Sequence, residues 1–171
     1  MKVFFIFFIS LTGLFALNSL LPGFYRSAAP NFLFLFAVFY ALKKNSLIFL
    51  WLAFFAGLIL DLFGGNFFGA QTFALLATCS LLAYATSEFF SAELSIELTS
   101  ILIAAGYIIF ATLVFALNLA AFNLHLAGYQ VSPQIFEFKI WLDLMLNLVF
   151  AAPIYYLTVF IDRVSIDKLK I

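Results

Sequence analysis

Few residues in this 171-residue chain could do chemistry, because only 9% of it is charged. The single histidine, His125, and the single cysteine, Cys79, stand apart from each other and from any cluster of carboxylates. No metal-ligand spacing results, and no intrachain disulfide can form. A Walker lysine loop, a Gly-x-Ser-x-Gly elbow and a Ser/His/Asp set are all missing from the sequence. The expectation is therefore no enzyme: no catalytic residue, no cofactor site and no metal site. His125 reads as a solvated residue of a connection, and Cys79 as a small apolar side chain. What remains is a sparse set of carboxylates, amides, lysines and glycines, among them Gly57, Asp61, Gly65, Gly69, Lys139, Asp143 and Asn147. Lys139, Asp143 and Asn147 recur every four residues and form one stripe of a helix, along which the lysine can neutralise the aspartate one turn away. The stripe reads as an interfacial salt bridge that fixes helix depth, or as a partner contact. Asp61 has no cation in its own run. A carboxylate inside a membrane span costs about 2.5–3.5 kcal/mol on insertion scales, so it needs a partner, an outer-surface position or a proton. It reads either as a helix-end residue bonded to the Gly64-Gly65 turn or to water, or as an anchor for another subunit or a polar ligand. Ala53, Gly57 and Asp61 share one face, and Gly65 and Gly69 repeat the four-residue spacing. Small residues so placed let helix backbones approach closely in lipid, although ordinary internal packing uses the same spacing.

The elements that must position these residues follow from composition. Hydrophobic residues make up 67% of the chain and aromatic residues 20%, with a mean hydropathy of +1.20. A soluble domain carries roughly 45–50% apolar and about 25% charged residues, so a soluble enzyme, a disordered tail and a nucleic-acid binder are excluded together. Formal charge is zero, so no global basic field recruits polyanions. Lipid is the solvent. Crossing about 30 Å of hydrocarbon takes about 20 helical residues, and backbone groups in lipid must be bonded internally. The spacing predicts an all-α integral membrane protein, one domain over residues 1–171. Its six spans fall at about 3–21, 28–42, 46–63, 68–86, 98–122 and 140–161. The first run is too long for a signal-peptide core and lacks a good small-x-small cleavage site, so it reads as a retained helix. The second reaches only about 22 Å. It must thin the bilayer, borrow length from its flanks or be shielded by neighbours, and if it is only re-entrant the count falls to five. Ser95 is the expected N-cap of the fifth run, with Glu97 in its first turn. Pro153 is expected to kink the sixth.

Six spans place both termini on one side. That side holds Lys2, Lys43, Lys44, Arg163, Lys168 and Lys170, against Arg26 and Lys139 on the other, so the positive-inside rule puts both termini in the cytoplasm. Asn18, Asp61, Asn66, Gln71, Thr72, Asn118, Asn123, Lys139, Asp143 and Asn147 then gather in the outer third of the bundle. The lower half is almost wholly Phe, Leu, Ile and Ala, and the 26 phenylalanines read as packing and lipid-facing bulk.

Three stretches are less generic: Pro30-Asn31-Phe32-Leu33, then Tyr40-Ala41-Leu42-Lys43-Lys44, then Gly57-Leu58-Ile59-Leu60-Asp61-Leu62-Phe63-Gly64-Gly65-Asn66-Phe67-Phe68-Gly69. Over residues 30–85 the chain resembles the bacterial rod shape-determining family MreD. Ala152-Pro153-Ile154-Tyr155-Tyr156-Leu157 with its basic tail also looks like that family's C-terminus. The resemblance implies a non-enzymatic inner-membrane component of the cell-elongation machinery that builds lateral peptidoglycan. It would bind MreC and, through it, MreB, RodA and a penicillin-binding transpeptidase. The fold implied is similar to the substrate-binding subunits of energy-coupling-factor vitamin transporters. Such a transporter subunit, with a small-molecule ligand, is the rival reading; the first run has no Ala-xxx-Ala pair for docking a coupling partner, which counts against it.

Overall fold

The computed structural model describes residues 30–43, 48–63, 67–89, 96–126 and 138–167, together with residues 12, 13 and 16. Five helices run through them: α1 (Phe32–Leu42), α2 (Ile48–Phe63), α3 (Ala70–Phe89), α4 (Ile96–Asn123) and α5 (Phe138–Asp167). They correspond to the second to sixth expected spans. The first expected span, 3–21, lies outside the described residues except for Thr12, Gly13 and Ala16, which are helical. Three helices are long and apolar enough to cross a membrane, over Ala70–Phe89, Glu97–Asn123 and Ile140–Phe160.

The sequence of α1, FLFLFAVFYAL, has no polar face, and a helix that is apolar all round belongs in a core. All 11 of its residues are buried, and it packs against each of the other four helices. At 1.5 Å per residue it is about 16 Å long, far less than the hydrocarbon thickness. Shielding by neighbours is thus the solution the chain adopts for its short helix. Aromatic contacts tie α1 to the long helices. The Phe34 ring lies 5.6 Å from Tyr107 and 5.3 Å from Phe110 on α4, and Phe32 meets Phe150 on α5 edge-on at 5.3 Å. At the far end of α1, the Lys43 ammonium sits 4.5 Å over the Tyr40 ring, where the helix dipole also favours a cation.

The outer surface is the reverse of a soluble protein's. Trp51, Phe73, Tyr84, Ile108, Trp141 and Tyr156 are all exposed, as a lipid-facing belt requires. Several hydroxyls on the long helices are satisfied within their own turns. Thr86 donates to the Ala83 carbonyl at 3.0 Å, Thr112 to Ile108 at 2.8 Å and Thr158 to Tyr155 at 2.8 Å. In hydrocarbon no water is available to do this.

Helix ends differ from expectation where local chemistry decides them. α1 starts at Phe32 rather than 28, because Asn31 caps it. α5 continues past Pro153 and on to Asp167, beyond the expected limit of 161. No Gly or Pro stands between 154 and 167, so nothing stops the helix where the charged residues begin. Ser95 lies outside the described residues, while Glu97 occupies the first turn of α4. α4 ends in a Schellman motif. His125 takes the left-handed position at φ 57°, its N–H donates to the Phe122 carbonyl at 3.0 Å, and the Leu126 N–H donates to Ala121 at 2.9 Å. His125 is exposed and serves as a helix stop.

Candidate functional site

The start of α1, the end of α2, the start of α3 and the adjoining turns of α4 and α5 meet at one end of the bundle. Each helix beginning there brings up to four N–H groups with no partner in its own helix. Asp61, Asn31 and Asn147 are spent on those groups.

Asp61 is 5% exposed, in the last turn of α2, and faces the first turn of α3. Its Oδ1 accepts from the Gln71 N–H at 2.8 Å, and its Oδ2 from the Thr72 N–H at 3.0 Å and the Thr72 hydroxyl at 2.5 Å. The carboxylate thus caps a helix ten residues further along the chain, at the end whose dipole favours negative charge. Gln71 reciprocates by donating its side-chain amide to the Leu60 carbonyl at 3.0 Å, which satisfies one of the last carbonyls of α2. The two helices are cross-capped.

This exchange needs the helices close together, and Gly57 allows it. A Cβ on Gly57 would stand 2.4 Å from the Thr72 Cα, a backbone atom that cannot swing aside. Gly57 lies one turn before Asp61 on the same face, with Ala53 fully buried a turn earlier, so the glycine sets the approach that the carboxylate uses. Gly69 has φ +94°, a conformation that L side chains rarely adopt, in the tight turn leading into α3.

Two asparagines complete the layer. Asn118 on α4 is 3% exposed; its Oδ1 accepts from the Phe67 N–H at 2.8 Å, and its amide donates to the Val114 carbonyl at 2.8 Å. Asn31 caps α1 by accepting from the Phe34 N–H at 3.0 Å, and its own N–H donates to Asn147 Oδ1 on α5 at 2.7 Å. Asn147 is fully buried. One turn along α5, Asp143 accepts a hydrogen bond from the Tyr107 hydroxyl of α4. Together these bonds link all five helices.

A family model, that of the rod shape-determining protein MreD, matches residues 1–161. The chain belongs to the MreD family. No curated protein and no solved structure matches it. Membership implies a role in rod shape determination, in a family of structural proteins rather than a known enzyme family, and it fits the membrane character of the three long helices.

In this MreD-family chain the structure sets Gly57, Asp61 and Gly69 at the junction of α2 and α3, Asn147 against Asn31 at the start of α1, and Asp143 beside Tyr107. Gly65 lies outside the described residues. Lys139 belongs to the first turn of α5, and its side chain also lies outside them. The sequence shows Asn31 and Asn118 as polar residues but not what they bond. For Asn31 the signal was present, since an Asn directly before an apolar run is a helix-start signature. For Asn118 there was none, because its partner is 51 residues away. Among the described residues no group of three His, Cys, Asp or Glu could hold a metal ion.

Proposed function

We propose that this chain is a non-enzymatic six-helix scaffold of the bacterial cell-elongation machinery, resident in the inner membrane with both termini in the cytoplasm. It binds MreC and, through it, MreB, RodA and a penicillin-binding transpeptidase, and needs no cofactor. Its helices adopt an arrangement similar to that of energy-coupling-factor substrate-binding subunits, with the first run as the sixth helix. The observation that carries this reading is the capping layer. Its described polar side chains are bonded chiefly to the protein's own backbone, which makes a rigid end on the side where the bulk of MreC would lie. A rigid end presents a fixed surface to a partner without paying ordering entropy on binding. The lipid-facing belt leaves the remaining surface free for partner helices.

The test is complementation in a rod-shaped bacterium depleted of its own MreD-family protein, with capture of MreC from the same membranes. The parent chain is expected to restore rods and retain MreC. Asp61→Ala and Gly57→Leu chains, at equal membrane levels, are expected to retain less MreC and leave the cells rounded. Failure of the parent chain to retain MreC would overturn the scaffold reading. Full retention by both variants would overturn the assignment of the site.

A further inference from the structure

Among the described residues, two buried side-chain atoms have no protein partner, the Thr78 hydroxyl and the Asn147 amide nitrogen. A lone hydroxyl can rotate, but the Asn147 amide is held. Its Oδ1 is committed to the Asn31 N–H at 2.7 Å, so its orientation is fixed and its Nδ2 hydrogens must point elsewhere. The residue is fully buried, in a medium where an unsatisfied amide is costly. The surroundings are polar on one side. Asp143 lies one turn away on the same stripe, is only partly buried, and receives the Tyr107 hydroxyl. Residues four apart on a helix have Cβ atoms about 5–6 Å apart, a span that one water molecule bridges between side-chain tips. A carboxylate has about four acceptor sites, more than one or two protein donors fill.

We propose that Asn147 and Asp143 hold a single ordered water at the junction of α1, α4 and α5, with Asn147 Nδ2 donating to the water and the water donating to the Asp143 carboxylate. The ligand class follows from the two ends of the site. One offers a donor and the other an acceptor, so the occupant must both accept and donate, as water or a hydroxyl group does and a bare cation or anion does not. The water then completes the hydrogen bonding that begins at the capped start of α1, and it makes the polar stripe of α5 an internal joint. This inference does not depend on the scaffold reading and can fail or succeed without it.

The test uses the full chain in lipid nanodiscs, ¹⁵N-labelled at asparagine, and reads magnetisation transfer from water to the Asn147 side-chain amide. The expected result is a cross-peak at Asn147 Nδ2 that is retained in Asp143→Asn and lost in Asp143→Leu, with the Asn118 amide signal unchanged as evidence of folding. If Asp143→Leu does not fold, a high-resolution map of the parent protein decides instead, by density for a water within hydrogen-bonding distance of both groups. Absence of the cross-peak in the parent, its persistence in a folded Asp143→Leu, or a map in which Nδ2 donates directly to a protein carbonyl would each overturn the proposal.

Discussion

Replacing Asp61 with alanine removes one carboxylate and strands three donors: the N–H groups of Gln71 and Thr72 and the Thr72 hydroxyl. The hydroxyl can turn to a carbonyl of its own helix, as Thr112 does, so its loss is small. The two N–H groups cannot turn. Loss of an N-cap alone costs about 1–2 kcal/mol, and hydrogen bonds to a charged acceptor contribute about 1.5–3 kcal/mol each. Two such bonds at a site 5% exposed, discounted because they share one acceptor group, place Asp61→Ala at about 3–4 kcal/mol. Asp61→Asn keeps one acceptor oxygen but sets an NH₂ against a backbone N–H, and should fall between, at about 2 kcal/mol. The assay is reversible unfolding in mixed micelles, followed by the fluorescence of Trp51 and Trp141, with hydrogen exchange at the Gln71 and Thr72 amides read in parallel. Exchange at those two amides should rise more than elsewhere in α3. An Asp61→Ala protein within about 0.5 kcal/mol of the parent, or one whose Gln71 and Thr72 amides stay protected, would falsify the capping assignment.

Gly57→Ala should cost about 1–3 kcal/mol by overpacking against the Thr72 backbone. In a double-mutant cycle its effect and that of Asp61→Ala should sum to less than their separate costs, since both act on one helix pair; strict additivity would refute the link. Gly69→Ala should cost about 1–2 kcal/mol through its φ of +94° alone, because open space surrounds the position, and Gly69→Asn should cost less. Asn118→Leu should cost about 1–3 kcal/mol by stranding the Phe67 N–H, with faster exchange at that amide as the accompanying signature.

Local chemistry was readable in the sequence, and long-range pairing was not. The face shared by Gly57 and Asp61 follows from helical periodicity, and so does the need of Asp61 for a partner in lipid. Its actual partners, the N–H groups ten and eleven residues on, carry no side-chain signature, because any residue type but proline supplies an N–H. The same holds for Phe67 with Asn118 and for Asn31 with Asn147, the latter 116 residues apart. Periodicity also left open how the short second run would be accommodated. Its lack of any polar face pointed inward, but only the arrangement of four neighbours around it settles the matter. Lys139, the expected partner of Asp143, has its side chain outside the described residues; a second contact, from the Tyr107 hydroxyl on another helix, had no signal in the sequence.

Lipid changes which of these features determine the structure. In water, burying the side chains of α1 would drive folding, but lipid tails are as apolar as Leu and Phe, so moving these side chains from lipid into the bundle gains only packing. The aromatic contacts of Phe32 and Phe34 supply shape without fixing height, since one Phe-rich stretch can slide against another with little loss. A backbone N–H is different, because in hydrocarbon it has no solvent to turn to. Asp61 reaches the first turn of α3 only if the end of α2 and the start of α3 lie level, and Asn147 meets Asn31 only if the start of α1 lies level with the Asn147 turn of α5. The polar layer therefore sets the register of the helices, and the apolar bulk fills the space that register leaves. A sliding of α2 by one turn, about 5.4 Å, would break the bonds from Asp61 while leaving the apolar contacts largely replaced in kind. That asymmetry is why so few polar residues, in a chain only 9% charged, can specify one arrangement.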